Sequence, residues 1–113
     1  MAKYLISFTE GSMHVSENEL PAVAKAAHAV VDEAKDAGVW IIGGGLKNHS
    51  EATIVTPERT LVDDPDPSAN GAIAGFALIE VPTYEEALEW AAEIAVACRC
   101  DQEVRELLPS ART

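Results

Sequence analysis

Residues 71–81 read Gly-Ala-Ile-Ala-Gly-Phe-Ala-Leu-Ile-Glu-Val, an apolar run with turn-forming sequence before it and an acidic helical pattern after it. Laid out as a strand, its side chains alternate across the sheet: Ala72, Ala74, Phe76 and Leu78 fall on one face, Ile73, Gly75, Ala77 and Ile79 on the other. Both faces are apolar, and neither can be left in water. A chain of 113 residues holds one domain with a core of ordinary size. Helices can cover one face of such a strand, and a second copy of the chain is the simplest cover for the other. This stretch therefore predicts a mixed α and β fold and a homodimer.

The remaining segments fit around it. Residues 3–9 set Tyr4, Ile6 and Phe8 against Lys3, Leu5 and Ser7, the alternation of a strand. Helical spacing begins near Leu20 and runs through Val23, Ala24, Ala27, Val30, Val31 and Ala34, with Lys25, Asp32, Glu33 and Asp36 opposite. A start at Asn18 keeps Pro21 in the first turn, and Gly38 ends the helix as a left-handed cap. Residues 39–42 are a short apolar run consistent with a strand buried on both faces. Gly43, Gly44, Gly45 and Leu46 follow. A phosphate-binding loop needs a helix N-terminus directly behind its glycines, but here Lys47, Asn48, His49 and Ser50 lead into another strand. The glycines instead predict close backbone approach or a bulge.

Residues 52–56 and 60–62 flank Pro57, Glu58 and Arg59 as a hairpin or a strand with an interrupted edge. Residues 63–71 are the longest turn-forming stretch, and such loops often carry function. Thr83 and Glu86 have the spacing of a capping box, opening a second helix whose buried side comprises Ala87, Leu88, Trp90, Ala91, Ile94, Ala95 and Cys98. Residues 102–108 form a last short strand, and 109–113 a tail expected to fray. The order strand, helix, three strands, helix, strand builds split β-α-β units in a single domain, 1–113. It predicts a ferredoxin-like α+β sheet with both helices on one face. Packing two bare faces together gives a dimeric α+β barrel.

The formal net charge of −11 repels phosphate backbones and anionic lipids, so neither nucleic acid nor membrane is an expected partner. No apolar run approaches the ~20 residues of a membrane helix, and the N-terminal residues lack a basic and apolar leader pattern, so a cytoplasmic location is expected. Cys98 and Cys100 lie too close in sequence to form a useful staple, and no second pair completes a zinc site. No cofactor fingerprint occurs. His14 and His49 read as loop residues, and Asp63, Asp64 and Asp66 as turn formers without the glycine and terminal Glu of an EF-hand. Trp40 and Trp90 read as core or dimer-interface anchors.

Several segments together resemble the YCII-related family, in particular its branch with an Asp-Gly-Pro-Phe signature. They are Gly38 with residues 43–46, Thr60 to Asp63 with Pro65, residues 75–81, residues 86–92, and Glu103, Val104 and Arg105. The signature stands here as Asp63, Asp64, Pro65 and Asp66. The resemblance implies a dimeric barrel with a cleft between sheet and helices in each subunit, where Gly44, Leu46, Asp64 and Pro65 are the ligand-binding candidates. YCII-like proteins are similar in carrying a first-helix histidine that works with an aspartate as an acid–base pair. Counted back from Gly38, that position is Ala27, beside His28, so His28 and Asp63 are the catalytic candidates. Two functions follow: a dimeric module binding a small organic ligand or a protein partner, favoured because the signature is altered, or a YCII-like enzyme acting on a small cyclic or aromatic compound.

Overall fold

The computed structural model describes residues 1–63 and 71–112. Its centre is the antiparallel pair of β1 (Ala2–Thr9) and β5 (Ile73–Val81), in register from Ala2 opposite Val81 to Phe8 opposite Gly75. β5 alternates as its sequence demands. Gly75, Ala77, Ile79 and Val81 are buried, while Ala74, Phe76 and Leu78 are half-buried. β2 (Trp40–Gly45) pairs with the free side of β5, and β6 (Glu103–Glu106) with the free side of β1. The result is an antiparallel sheet in the order β2-β5-β1-β6. Among the described residues it ends in two open edges and forms no closed barrel.

The first helix, α1 (Leu20–Asp36), starts behind Glu19 with Pro21 in its first turn, so the Asn18 start expected from sequence lies one position early. Its end is as expected: Ala37 caps it and Gly38 turns at φ 77°. Only a residue without Cβ adopts that backbone freely. The second helix, α2 (Tyr84–Cys98), is capped by Thr83, whose hydroxyl accepts from the Glu86 N–H at 3.2 Å. Thr83→Ala is expected to cost about 1 kcal/mol, read as a lower midpoint in urea followed by circular dichroism.

The core joins Tyr4, Ile6, Ala77, Ile79 and Val81 of the sheet to Ala87 and Ala91 of α2. Alanines at those two positions let the helix sit close on the strands. This rotates Leu88, expected inside, to the surface at 42 % exposure, and buries Ala97 instead. In α1 Val23, Val30 and Ala34 are buried, whereas Leu20 and Ala24 of the expected stripe are exposed. Arg99 closes α2 at φ 58° and its guanidinium pairs with the Glu19 carboxylate, tying the end of one helix to the start of the other.

Two further corrections concern β2. It is an edge strand, so residues 39–42 are not buried on both faces within one chain: Ile42 is 57 % exposed. Its register also shifts between Trp40 and Ile42, a bulge that re-aims the strand. Between β2 and β5 the chain makes a separate hairpin of β3 (Ile54–Val55) and β4 (Leu61–Val62), where the sequence places one. Among the described residues, no helix lies on the sheet face that carries Leu5, Ile42, Phe76 and Leu78.

Candidate functional site

The site begins with missing side chains. Gly43 and Gly45 of β2 lie opposite Ala77 and Gly75 of β5, on the face that the helices cover. A Cβ on Gly43 would fall 2.5 Å from the Phe76 carbonyl oxygen and 2.6 Å from the Trp40 ring, so the indole occupies the space that a side chain would need. A Cβ on Gly75 would fall 2.6 Å from the ring of Phe8. Over Gly45, in contrast, the nearest atom is the Ala74 carbonyl oxygen at 3.9 Å. Two aromatic rings thus rest on two glycines, and the end of β2 at Gly45 is left bare.

That strand is the floor of a cleft of about 370 Å³, within the usual size range of small-molecule sites. Ala27, His28, Val31 and Lys35 of α1 form one wall, and Ile94 and Cys98 of α2 another. The lining is mostly apolar. Its polar groups are the His28 imidazole, the Lys35 ammonium, the Gln102 amide and the Cys98 thiol, and no Asp or Glu is among the described residues that line it.

His28, the catalytic candidate on α1, is exposed and borders this cleft, as does Ala27 beside it. The one-position ambiguity in the sequence therefore leaves both residues on the same wall. Asp63 lies just after β4, where its carboxylate accepts from the Thr53 hydroxyl at 3.0 Å. Among the described residues, no hydrogen bond or ion pair joins it to His28. Gly44 lines the cleft with its backbone, and no atom stands within 4 Å of where its Cβ would be. Leu46 is exposed, and its N–H donates to Ala74 at 2.8 Å, continuing the pairing of β2 with β5. Asp64 and Pro65 lie outside the described residues. His14 is exposed, and His49 is held by a backbone N–H donated to the Glu10 carboxylate at 2.6 Å.

Sequence reasoning missed Phe8, Trp40, Gly45, Lys35 and Gln102 as wall and floor. One signal could have found Lys35: His28, Val31 and Lys35 are spaced i, i+3, i+7, which places them along one stripe of the helix. Cys98, expected on the buried side of α2, also lines the cleft. Burial pushes its thiol pKa above the ordinary range, and the neighbouring Cys100 adds to the shift. Both thiols are free. Because the thiolate is the reactive form, iodoacetamide at pH 7 is expected to label Cys100 well before Cys98, with Cys98 reacting only as pH rises past the usual thiol range. Mass spectrometry of the two tryptic fragments reads the order, and equal rates at pH 7 would contradict it.

Among the described residues no group of three or more His, Cys, Asp or Glu could hold a metal ion. No described helix is long and apolar enough to cross a membrane. Four antiparallel strands covered on one face by two helices, with a glycine-floored cleft between the layers, define a small α+β domain. The chain belongs to the YCII-related domain family, whose sequence model matches residues 2–109, nearly its whole length. No curated protein matches it.

Proposed function

We propose that the chain is a homodimeric module that holds a small organic molecule in the cleft between its sheet and its helices. The observation that carries this is the cleft itself: an apolar space floored by Gly45, flanked by Phe8 and Trp40, with few polar groups at its rim. Apolar walls supply the affinity of such sites and a few placed polar groups the orientation. The strand order β2-β5-β1-β6, with both helices on one face, supports a ferredoxin-like frame. Half-buried Phe76 and Leu78 beside exposed Ile42 support pairing of two bare sheet faces into a dimeric α+β barrel. Two free thiols suit the reducing cytoplasm.

A fragment library of small aromatic and alicyclic compounds, screened by proton–nitrogen NMR correlation spectra, tests the reading. Saturable shifts are expected at the amides of Gly44, Gly45, Val31 and Ile94. Shifts confined to other surfaces would overturn it.

A second reading, a YCII-like enzyme, is favoured by the placement of His28 on the cleft wall, where an imidazole can move a proton to or from a bound molecule. For any compound that is both bound and turned over, His28→Ala is expected to lower kcat by about 10²-fold or more while Kd changes little. An unchanged kcat removes the enzymatic reading and leaves the binding one standing.

A further inference from the structure

We infer that the cleft selects a ligand whose apolar, preferably aromatic, body ends in an anionic group of the carboxylate type, with Lys35 receiving that group. The inference rests on the binding function proposed above and adds the chemical class of the ligand.

It starts from charge. The chain carries 19 acidic and 8 basic residues, so a random surface would be rich in carboxylates. The described lining of the cleft holds none, and it does hold Lys35. A cation ligand would thus meet no counter-charge inside, and an anion would meet one. Among the described residues no carboxylate is within ion-pair distance of Lys35, which leaves its ammonium available.

Geometry gives the length. His28 and Lys35 are seven residues apart on α1, two turns, hence about 10 Å along one stripe of the helix. Facing that stripe, the floor of the cleft runs along β2 from Trp40 to Gly45, with the Phe8 ring over Gly75 beside it, an apolar surface suited to a flat body. A molecule lying in it can place an anionic group at Lys35 while the far end meets the hydrogen-bonding groups of His28 and Gln102. The negative field of the whole chain slows approach of anions, so the preference arises from contact inside the cleft and not from steering.

The test uses three probes with one body: 2-naphthoate, 2-naphthamide and 2-naphthylmethylammonium, each titrated into the full chain at pH 7 and followed by NMR shifts at Gly45 and Val31. The carboxylate is expected to bind about fivefold or more tighter than the amide, and the ammonium most weakly. Lys35→Gln, a change at an exposed position, is expected to abolish the preference for the carboxylate over the amide. Raising salt from 0.05 M to 0.5 M should shrink the same preference. Amide bound in the cleft as tightly as the carboxylate, or a preference that survives Lys35→Gln, overturns the inference and leaves the binding function intact. If none of the three enters the cleft at millimolar concentration, the binding function falls and the inference with it.

Discussion

Gly43→Ala is expected to destabilise the fold by about 3 kcal/mol or more, a drop of roughly 10 °C or more in Tm. The added methyl would meet the Phe76 carbonyl oxygen at 2.5 Å and the Ala77 Cα at 2.9 Å, backbone atoms that cannot step aside singly, together with the Trp40 ring at 2.6 Å. Relief requires β2 to move off β5, which breaks the edge of the sheet and displaces Trp40 from the cleft. Gly44→Ala, one residue on, meets nothing within 4 Å and is expected to stay within about 1 kcal/mol of the parent. Thermal melts of the two variants side by side check the contrast. Equal melting temperatures would contradict the packing described for β2.

The second large effect concerns assembly. The parent chain is expected to show a mass of about 24 kDa in light scattering at micromolar concentration, twice the 12.0 kDa of one chain. Ile42 and Leu78 are cross-strand partners on the bare face, so Ile42→Glu with Leu78→Lys places opposite charges opposite each other. A single chain tolerates that pair at its surface. Buried between two sheets it would leave charges without water, and the dimer is expected to weaken by about 10³-fold, giving a 12.0 kDa species with unchanged far-ultraviolet circular dichroism. A parent chain that is already monomeric would contradict the proposed barrel.

Much of the architecture is legible in the sequence because it rests on periodicity. The alternation of β5, the helical spacing of α1, the Thr83 cap and the Gly38 stop are local signals, and the structure has them within a residue or two. The assignment of the YCII-related family is borne out over residues 2–109. What was not legible depends on which elements become neighbours. Residues 39–42 form an apolar run that suits a central strand and an edge strand awaiting a partner equally well, and only the pairing with β5 shows which it is. Leu88 matched the apolar stripe of α2, but the close seat of Ala87 and Ala91 on the sheet sets a different rotation.

The site was the least legible part. His28 enters through the resemblance to YCII-like proteins, counted back from Gly38, and the structure sets it on the cleft wall. The floor was missed because it consists of absent side chains, and its shape is set by two rings: Trp40 folded over Gly43 of its own strand, and Phe8 of β1 over Gly75 of β5. Lys35 lies in the last turn of α1, where a cation complements the helix dipole, and only the folded chain sets it on the cleft wall. Asp63 shows the converse. Its partner from sequence was His28, and the structure gives its carboxylate to the Thr53 hydroxyl.

The most direct test of a ligand site between sheet and helices is to fill it. Gly45→Val places two methyl groups on the bare floor, where the nearest atom to the new Cβ is 3.9 Å away, so the strand keeps its path and the cleft loses its space. The measurement is the affinity of 2-naphthamide, a neutral probe that does not depend on Lys35, for the parent chain and for this variant. Binding to the parent, at least about tenfold weaker binding to Gly45→Val, and equal Tm for the two proteins is the predicted result. Equal affinity with an equally stable fold would place the ligand elsewhere and contradict the account.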